Sequence, residues 1–251
     1  MTFAWLSFFD SLLAMTMIAT GIVGAHFYLV APFMGFQLFV LGFMLSILGT
    51  LVGLLAIFMT RTPKLRAGRN RALMGTAVSA VIAISVFAIL LYSSGYPAIN
   101  DITTDFNDPP EFTFAQKLQH EPNRNMKYDK AKYADRQLAG YGPIGPIKER
   151  LDPAAAFARV TEVAQAIPNW KITYSDPASK TLEAVAESGL FNFQDDVVIQ
   201  VRPTADGASL IEMRSKSRDG IGDFGVNAKR IRRFYDSIAL ARGANDEQAK
   251  P

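Results

Sequence analysis

The chain has 251 residues, 49% of them hydrophobic, and a formal net charge of +3. With no cysteine and two histidines, it excludes disulfides, thiolate metal sites and a cysteine nucleophile, and it argues against a histidine-rich metal site or a Ser–His–Asp triad. Residues 1–98 hold five basic residues and one acid, whereas the remainder holds 21 basic and 22 acidic residues. A domain so near neutrality lacks the cationic surplus that nucleic-acid binding requires.

Three apolar runs fill the first third of the sequence, at about 12–30, 36–59 and 73–92. Each is about 20 residues long, enough to cross roughly 30 Å of hydrocarbon as a helix. Runs with almost no polar face have no soluble surface to bury against, so they read as transmembrane helices rather than core helices. A cleaved signal peptide ending at Val23-Gly24-Ala25 is disfavoured: no Lys or Arg precedes the first run, Asp10 stands near its start, and apolarity continues to Val30.

Arg61, Lys64, Arg66, Arg69 and Arg71 all fall between the second and third runs, while residues 93–110 carry Asp101, Asp105 and Asp108 and no Lys or Arg. Short basic loops stay in the cytoplasm, which places the amino terminus inside and everything after about residue 93 outside the inner membrane. Gly42, Ser46 and Thr50, the pair Gly49 and Gly53, and Gly75, Ser79 and Ala83 form small-residue tracks that let helices approach closely. Packing among the three helices of one chain is preferred over homodimerisation. Asp10 and His26 are expected at the ends of the first span, too few for a conduction path.

Residues 98–150 are polar and proline-bearing (Pro109, Pro110, Pro122, Pro143, Pro146), with one helix expected over 126–139. The segment either wraps the folded part or spaces it from the bilayer. Six aromatic residues, among them Phe112, Phe114 and Tyr128, argue for wrapping. Asp152 as N-cap, Pro153 at the first helical position and Pro168 beyond the end then bound a helix with Phe157, Val160, Ala164 and Ile167 on its apolar stripe. Strands follow at 170–175, 181–188, 197–203 and 208–215, joined by short turns and therefore antiparallel. A last helix runs from about 223 or 225 to 241, with Val226, Ile231, Phe234, Ile238 and Ala241 toward the core, and 244–251 is expected to be a disordered tail. The fold class expected is a three-helix transmembrane region (1–95), an extended segment (96–150), and an α+β domain (151–243) whose four-stranded antiparallel sheet is flanked by two helices.

Asn100-Asp101-Ile102-Thr103-Thr104-Asp105 with Asp108-Pro109-Pro110 and Phe112, then 193–199 (FQDDVVI), then Arg214-Ser215-Lys216-Ser217-Arg218 through 223–228 (DFGVNA) and Arg230-Ile231-Arg232 are specific strings taken together. Over about 96–234 the chain resembles a bacterial family of uncharacterised domains, many of which also carry helical spans ahead of the domain. The resemblance implies a fold unit and an envelope setting, with Asp101, Asp105, Asp195, Asp196, Asp223, Asn227 and Arg230 as signature candidates. It implies no activity.

The most suggestive constellation is Arg214 and Arg218 leading into Gly220, Gly222 and Gly225 at a helix start. A dinucleotide site is excluded because no strand follows the helix. An anion such as a phosphate or carboxylate fits the backbone N–H groups and the arginines. The plainer reading is structural: the glycines turn, Asp223 caps, and the arginines pair with acids such as Asp195, Asp196 or Glu212. Asp101, Asp105 and Asp108 do not match a calcium loop, and Asp195 and Asp196, adjacent on a strand, point to opposite faces. The run Arg230-Ile231-Arg232-Arg233, with Lys229, reads as the solvated face of a helix rather than a lipid-binding patch. The function expected is a non-enzymatic, membrane-anchored envelope protein, without cofactor or metal, whose outer domain binds a partner protein or an anionic lipid or glycan. The alternative is a membrane-tethered, metal-dependent hydrolase using the Asp-rich segments.

Overall fold

A computed structural model of the chain describes residues 2–117 and 125–248; Pro122 and residues 249–251 lie outside them. Two compact units emerge, Met1–Gly95 with Gly189–Asn192, and Tyr96–Ser188 with Phe193–Pro251.

The first unit is three helices, α1 (Thr2–His26), α2 (Pro32–Met59) and α3 (Arg69–Ser93), the last preceded by a 3₁₀ turn at Pro63–Gly68. All three are long and apolar enough to cross a membrane. They are packed inside-out relative to a soluble bundle. Leu51, Ile84 and Phe87 are exposed, while Gly42, Ser46, Gly49, Gly53, Gly75 and Ser79 are buried. Large apolar side chains gain nothing by leaving lipid, so close backbone approach between small residues drives the packing. A Cβ at Gly75 would fall 2.7 Å from the Ser7 carbonyl carbon and 2.8 Å from the Phe8 nitrogen, so Gly75→Val must separate α1 from α3. We expect a lower melting temperature in detergent for Gly75→Val and no such loss for the outward-facing Ile84→Val, measured by circular dichroism.

α1 starts ten residues before the expected position, because the apolar Phe3–Phe9 stretch continues the helix through the single acid. Asp10 is therefore inside the span and not at its end. Its carboxylate lies against Gly49, in the space that a Cβ on Gly49 would take. His26 does close α1 in its last turn.

The second unit is α+β, with three α-helices and six strands among the described residues. The strands are β1 (Asp101–Thr103), β2 (Ile147–Glu149), β3 (Trp170–Asp176), β4 (Thr181–Glu187), β5 (Gln194–Pro203) and β6 (Ser209–Ser217), all antiparallel in one sheet of order β1-β6-β5-β4-β3, with β2 also on β6. The expectation of four strands is corrected to six. The two additions are three residues long and take consecutive stretches of the β6 edge, β1 against Arg214–Lys216 and β2 against Ser209–Ile211. The helices number three rather than two: α4 (Lys130–Tyr141), α5 (Pro153–Ala166) and α6 (Val226–Gln248). α4 begins four residues later than expected because the Asp129 carboxylate accepts the Lys132 N–H and caps it. Asp152 caps α5, accepting from Ala154 and Ala155 N–H. The backbone of α6 stays helical to Gln248, into the stretch expected to be a disordered tail.

One sheet face carries the main core. Leu182, Ala184, Val197, Ile199, Ile211 and Met213 alternate along β4, β5 and β6 and meet Phe157 and Val160 of α5 and Ile231, Phe234 and Ile238 of α6. Trp170 stacks on Phe234 at 5.7 Å. Val226, expected in this stripe, is exposed. On the other face Phe112 and Ala115, from the described residues 105–117, and Met126 pack on Val198. Glu183 accepts the backbone N–H groups of Thr113, Phe114 (2.8 Å) and Ala115 (2.8 Å) there. The described part of the segment is thus a strap on the sheet.

Candidate functional site

β5 and β6 lie antiparallel with Asp195 opposite Ser217 and Asp196 opposite Lys216, so alternate residues send their side chains to opposite faces. On the helix face, Asp195 pairs with Arg230 of α6 at 2.5 Å. The wholly buried Asn227 accepts from the Ser215 hydroxyl (2.6 Å) and Arg230 (2.5 Å), and donates to Ser217 (2.9 Å). This network rivets α6 to the end of the sheet.

On the strap face, Arg214 is 1% exposed. Its Nε and Nη2 donate to the two oxygens of Asp101 at 2.9 and 2.8 Å, and Lys216 donates to the same carboxylate at 2.9 Å. Arg214 also donates to the Met126 carbonyl at 2.8 Å, and its guanidinium lies over the rings of Phe112 (5.0 Å) and Tyr128 (5.3 Å). Burial and the nearby Asp101 carboxylate push the Tyr128 hydroxyl well above its ordinary pKa, which keeps it neutral. Arg218 is held by Asp196 (2.7 and 3.1 Å) and by Gln194 at 2.6 Å.

These pairings bear on the anion reading. Arg214 and Arg218 have carboxylate partners on the same unit, so neither is a cation held in reserve. Amides at the start of α6 are also engaged: the Asp223 carboxylate accepts Gly225 N–H (2.9 Å) and Asn227 N–H (3.0 Å), with the Tyr141 hydroxyl at 3.3 Å. Gly220, Gly222 and Gly225 serve a turn, two of them at positive φ (79° at Gly220 and 80° at Gly225). Burial raises the Asp223 pKa, and the capping N–H groups oppose that shift. Nor do the acids of the hydrolase reading converge. Asp105 accepts the N–H groups of Asn107 and Asp108, Asp108 pairs with Arg202, and Asp101 is committed to Arg214 and Lys216. Among the described residues no three His, Asp or Glu side chains gather as a metal-binding group.

What does open to solvent is a groove of about 600 Å³ on the strap face, beside β3. Lys171 and Thr173 of β3, Glu187 of β4, Gln194 of β5, Arg218 just beyond β6 and Phe114 of the strap line it. β3 pairs with β4 and ends the sheet, with a register shift between Ile172 and Tyr174. The sequence reading named Arg218 as an anion-binding candidate, beside the plainer reading of an internal ion pair, and did not find this groove, which Phe114 of the strap helps to line.

Residues 101–238 match the sequence profile of a protein family described as of unknown function, DUF1499, which is more than half of the chain. The chain belongs to the DUF1499 family. The matched region begins at Asp101 and ends at Ile238, so it takes in the buried Asp101–Arg214–Lys216 cluster, the Asp195–Arg230–Asn227 rivet and every β-strand. No curated protein matches the chain. The protein is thus a DUF1499 domain carried behind three apolar helices, an arrangement that fits membrane anchoring.

Proposed function

We propose that the protein is a non-enzymatic interaction module of the cell envelope, with its DUF1499 domain outside the inner membrane and an extended segment of a partner protein as its ligand. The observation that carries this reading is the groove beside β3. A strand that ends a sheet offers unpaired N–H and C=O groups along its open edge, and an added strand can satisfy them while its side chains enter an adjoining groove. Lys171, Glu187 and the Arg218–Asp196 pair give the groove mixed polarity, which suits a peptide better than a uniformly anionic ligand. The orientation is supported by the five cations between α2 and α3.

Orientation is tested in spheroplasts with single cysteines, since the natural chain has none. A membrane-impermeant maleimide should label Ala178→Cys in intact cells and Lys64→Cys only after permeabilisation; the reverse pattern would refute the placement. For the ligand, a photoreactive amino acid at 171 or 173 should give a discrete protein adduct in cells. The same group at Lys148, outside the groove, should not. The captured partner's segment, made as a peptide, should bind the full-length protein in nanodiscs, with at least ten-fold weaker affinity for Lys171→Glu. Equal adducts at all three positions, or binding indifferent to Lys171→Glu, would sink the groove assignment.

A further inference from the structure

The loop of residues 220–225 exposes large apolar side chains at a place where chain connectivity decides what lies nearby. Ile221 is 84% exposed and Phe224 55% exposed. A soluble surface rarely presents two such residues three positions apart on one short loop without a use for them.

The loop is also held firmly from beneath. Asn100 donates to the Gly220 carbonyl at 2.6 Å, and the Asp223 N–H donates to the Ile99 carbonyl at 3.1 Å. A Cβ at Gly222 would sit 3.2 Å from Ala98, and one at Gly225 2.8 Å from the Tyr96 ring. Phe224 itself is at φ 51°, a left-handed conformation that costs a non-glycine residue about 1–2 kcal/mol. That conformation presents an exposed phenyl ring and buries nothing.

The partners beneath the loop, Tyr96 to Asn100, are the first residues of the second unit. Tyr96 follows Ser93, the last residue of α3, by three residues, a reach of at most about 11 Å whatever the arrangement of the two units. The loop is therefore fastened to the part of the chain that has just left the membrane. Lys229, Arg232 and Arg233, on the first turns of α6 beyond the loop, are exposed cations, and Lys229 lies 5.0 Å over the Tyr96 ring. Apolar side chains flanked by cations at the headgroup level are the pattern of an interfacial membrane contact.

We propose that the 220–225 loop is a membrane-interface anchor, with Ile221 and Phe224 inserted among the headgroups and upper acyl chains of the same bilayer that α1–α3 span. It rests on those helices being membrane spans and goes beyond the groove assignment. The anchor gives the DUF1499 domain a membrane contact of its own, besides the chain crossings into the helical unit after Gly95 and on either side of Gly189–Asn192.

The cysteine-free chain makes the test direct. Nitroxide labels are placed singly at Ile221→Cys and Phe224→Cys in the full-length protein, reconstituted in vesicles of phosphatidylcholine with phosphatidylglycerol. Ile84→Cys on α3 and Ala178→Cys on the β3–β4 turn serve as references. Collision rates with oxygen, which concentrates in lipid, and with a water-soluble nickel chelate are compared. The 221 and 224 labels should show an oxygen-to-nickel ratio several-fold above that at 178, approaching that at 84, and should keep it in pure phosphatidylcholine. If Phe224→Cys fails to fold, Ile221→Cys carries the same reading. Ratios at 221 equal to those at 178 while 84 stays lipid-exposed would overturn the anchor alone. A water-exposed 84 would overturn the membrane reading and the anchor with it. Loss of the high ratio without phosphatidylglycerol would replace apolar insertion by electrostatic attraction and so refute the proposal.

Discussion

Asp101→Ala will lower the melting temperature of the DUF1499 domain by about 10 °C or prevent its folding, the largest effect expected of any single carboxylate in the chain. Asp101 is fully buried, and its two oxygens serve both Arg214 and Lys216. Removing it leaves a guanidinium and an ammonium uncompensated between β1, the strap and the Phe112 and Tyr128 rings. Breaking a buried pair from one side costs about 3–5 kcal/mol, against about 5–15 kcal/mol for a whole domain. In a unit of this size each kcal/mol moves the midpoint by about 2–4 °C. Asp101→Asn keeps one acceptor for Arg214 but not the charge, so it should fall between parent and alanine. The double variant Asp101→Leu with Arg214→Met should be milder than Asp101→Ala, because it removes the charge left stranded, although Lys216 must then turn toward solvent. Thermal unfolding of the full-length protein in detergent, followed by Trp170 fluorescence in a Trp5→Phe background, reads all of these. An Asp101→Ala midpoint within 2 °C of the parent would show that the cluster relaxes into water and contributes little.

The parts of this fold visible in the sequence are those whose pattern is local. The periods of β3 to β6, the cap-and-proline signature of α5 and the unbroken apolarity of α1 to α3 each depend on residues within one element, and each element is present, although α1 begins ten residues earlier than its apolar run suggests. β1 and β2 escaped because three residues make no period. Asp101-Ile102-Thr103 becomes a strand only because β6 extends two residues beyond its apolar stretch and offers an edge. That edge is then closed by Gln137, whose side-chain amide exchanges hydrogen bonds with the Thr103 N–H (3.1 Å) and carbonyl (2.7 Å) as a neighbouring strand would. A glutamine on a helix gives no such signal by itself. Asp10 was misplaced for a related reason. A lone acid in an apolar run looks like a boundary, but small residues on two other helices leave room for it inside the bundle.

The candidate site was legible only as an inventory of charges. Arg214, Arg218, Asp195 and Asp196 stand out in the sequence, and their alternation does settle that the two acids face apart. Which acid meets which base depends on register between strands and on where the strap runs. Asp101 is more than a hundred residues from Arg214, and no spacing rule connects them. Glu183 shows the limit most clearly. It sits in a strand as one acid among alternating residues, where a solvated position is the natural reading, yet it is buried because a distant segment lies over it.

Glu183 also carries the second large effect, and one closer to function. Its carboxylate is the acceptor for three consecutive strap amides, Oε1 for Thr113 and Phe114 and Oε2 for Ala115. Hydrogen bonds to a charged group contribute about 1.5–3 kcal/mol each at most, and part of that returns when freed amides reach water, so Glu183→Ala should destabilise the domain by about 3 kcal/mol. Glu183→Gln is expected to recover only part of this. Its amide oxygen can still serve Thr113 and Phe114, but its NH₂ group would then face the Ala115 N–H, donor against donor. The loss should be local before it is global, because the core face of the sheet does not involve Glu183 and its α5 and α6 contacts remain. Hydrogen exchange on the full-length protein should therefore show amides 113–115 losing at least ten-fold in protection in Glu183→Ala, with β5 and β6 close to parent values. Phe114 lines the groove together with β3 residues, so a partner segment that binds beside β3 should bind Glu183→Ala several-fold more weakly even though no β3 residue has changed. Uniform loss of protection across the sheet would mean that Glu183 supports the whole fold and not the strap. Unchanged protection at 113–115 would mean that the packing of Phe112, Ala115 and Met126 on Val198 holds the strap without it.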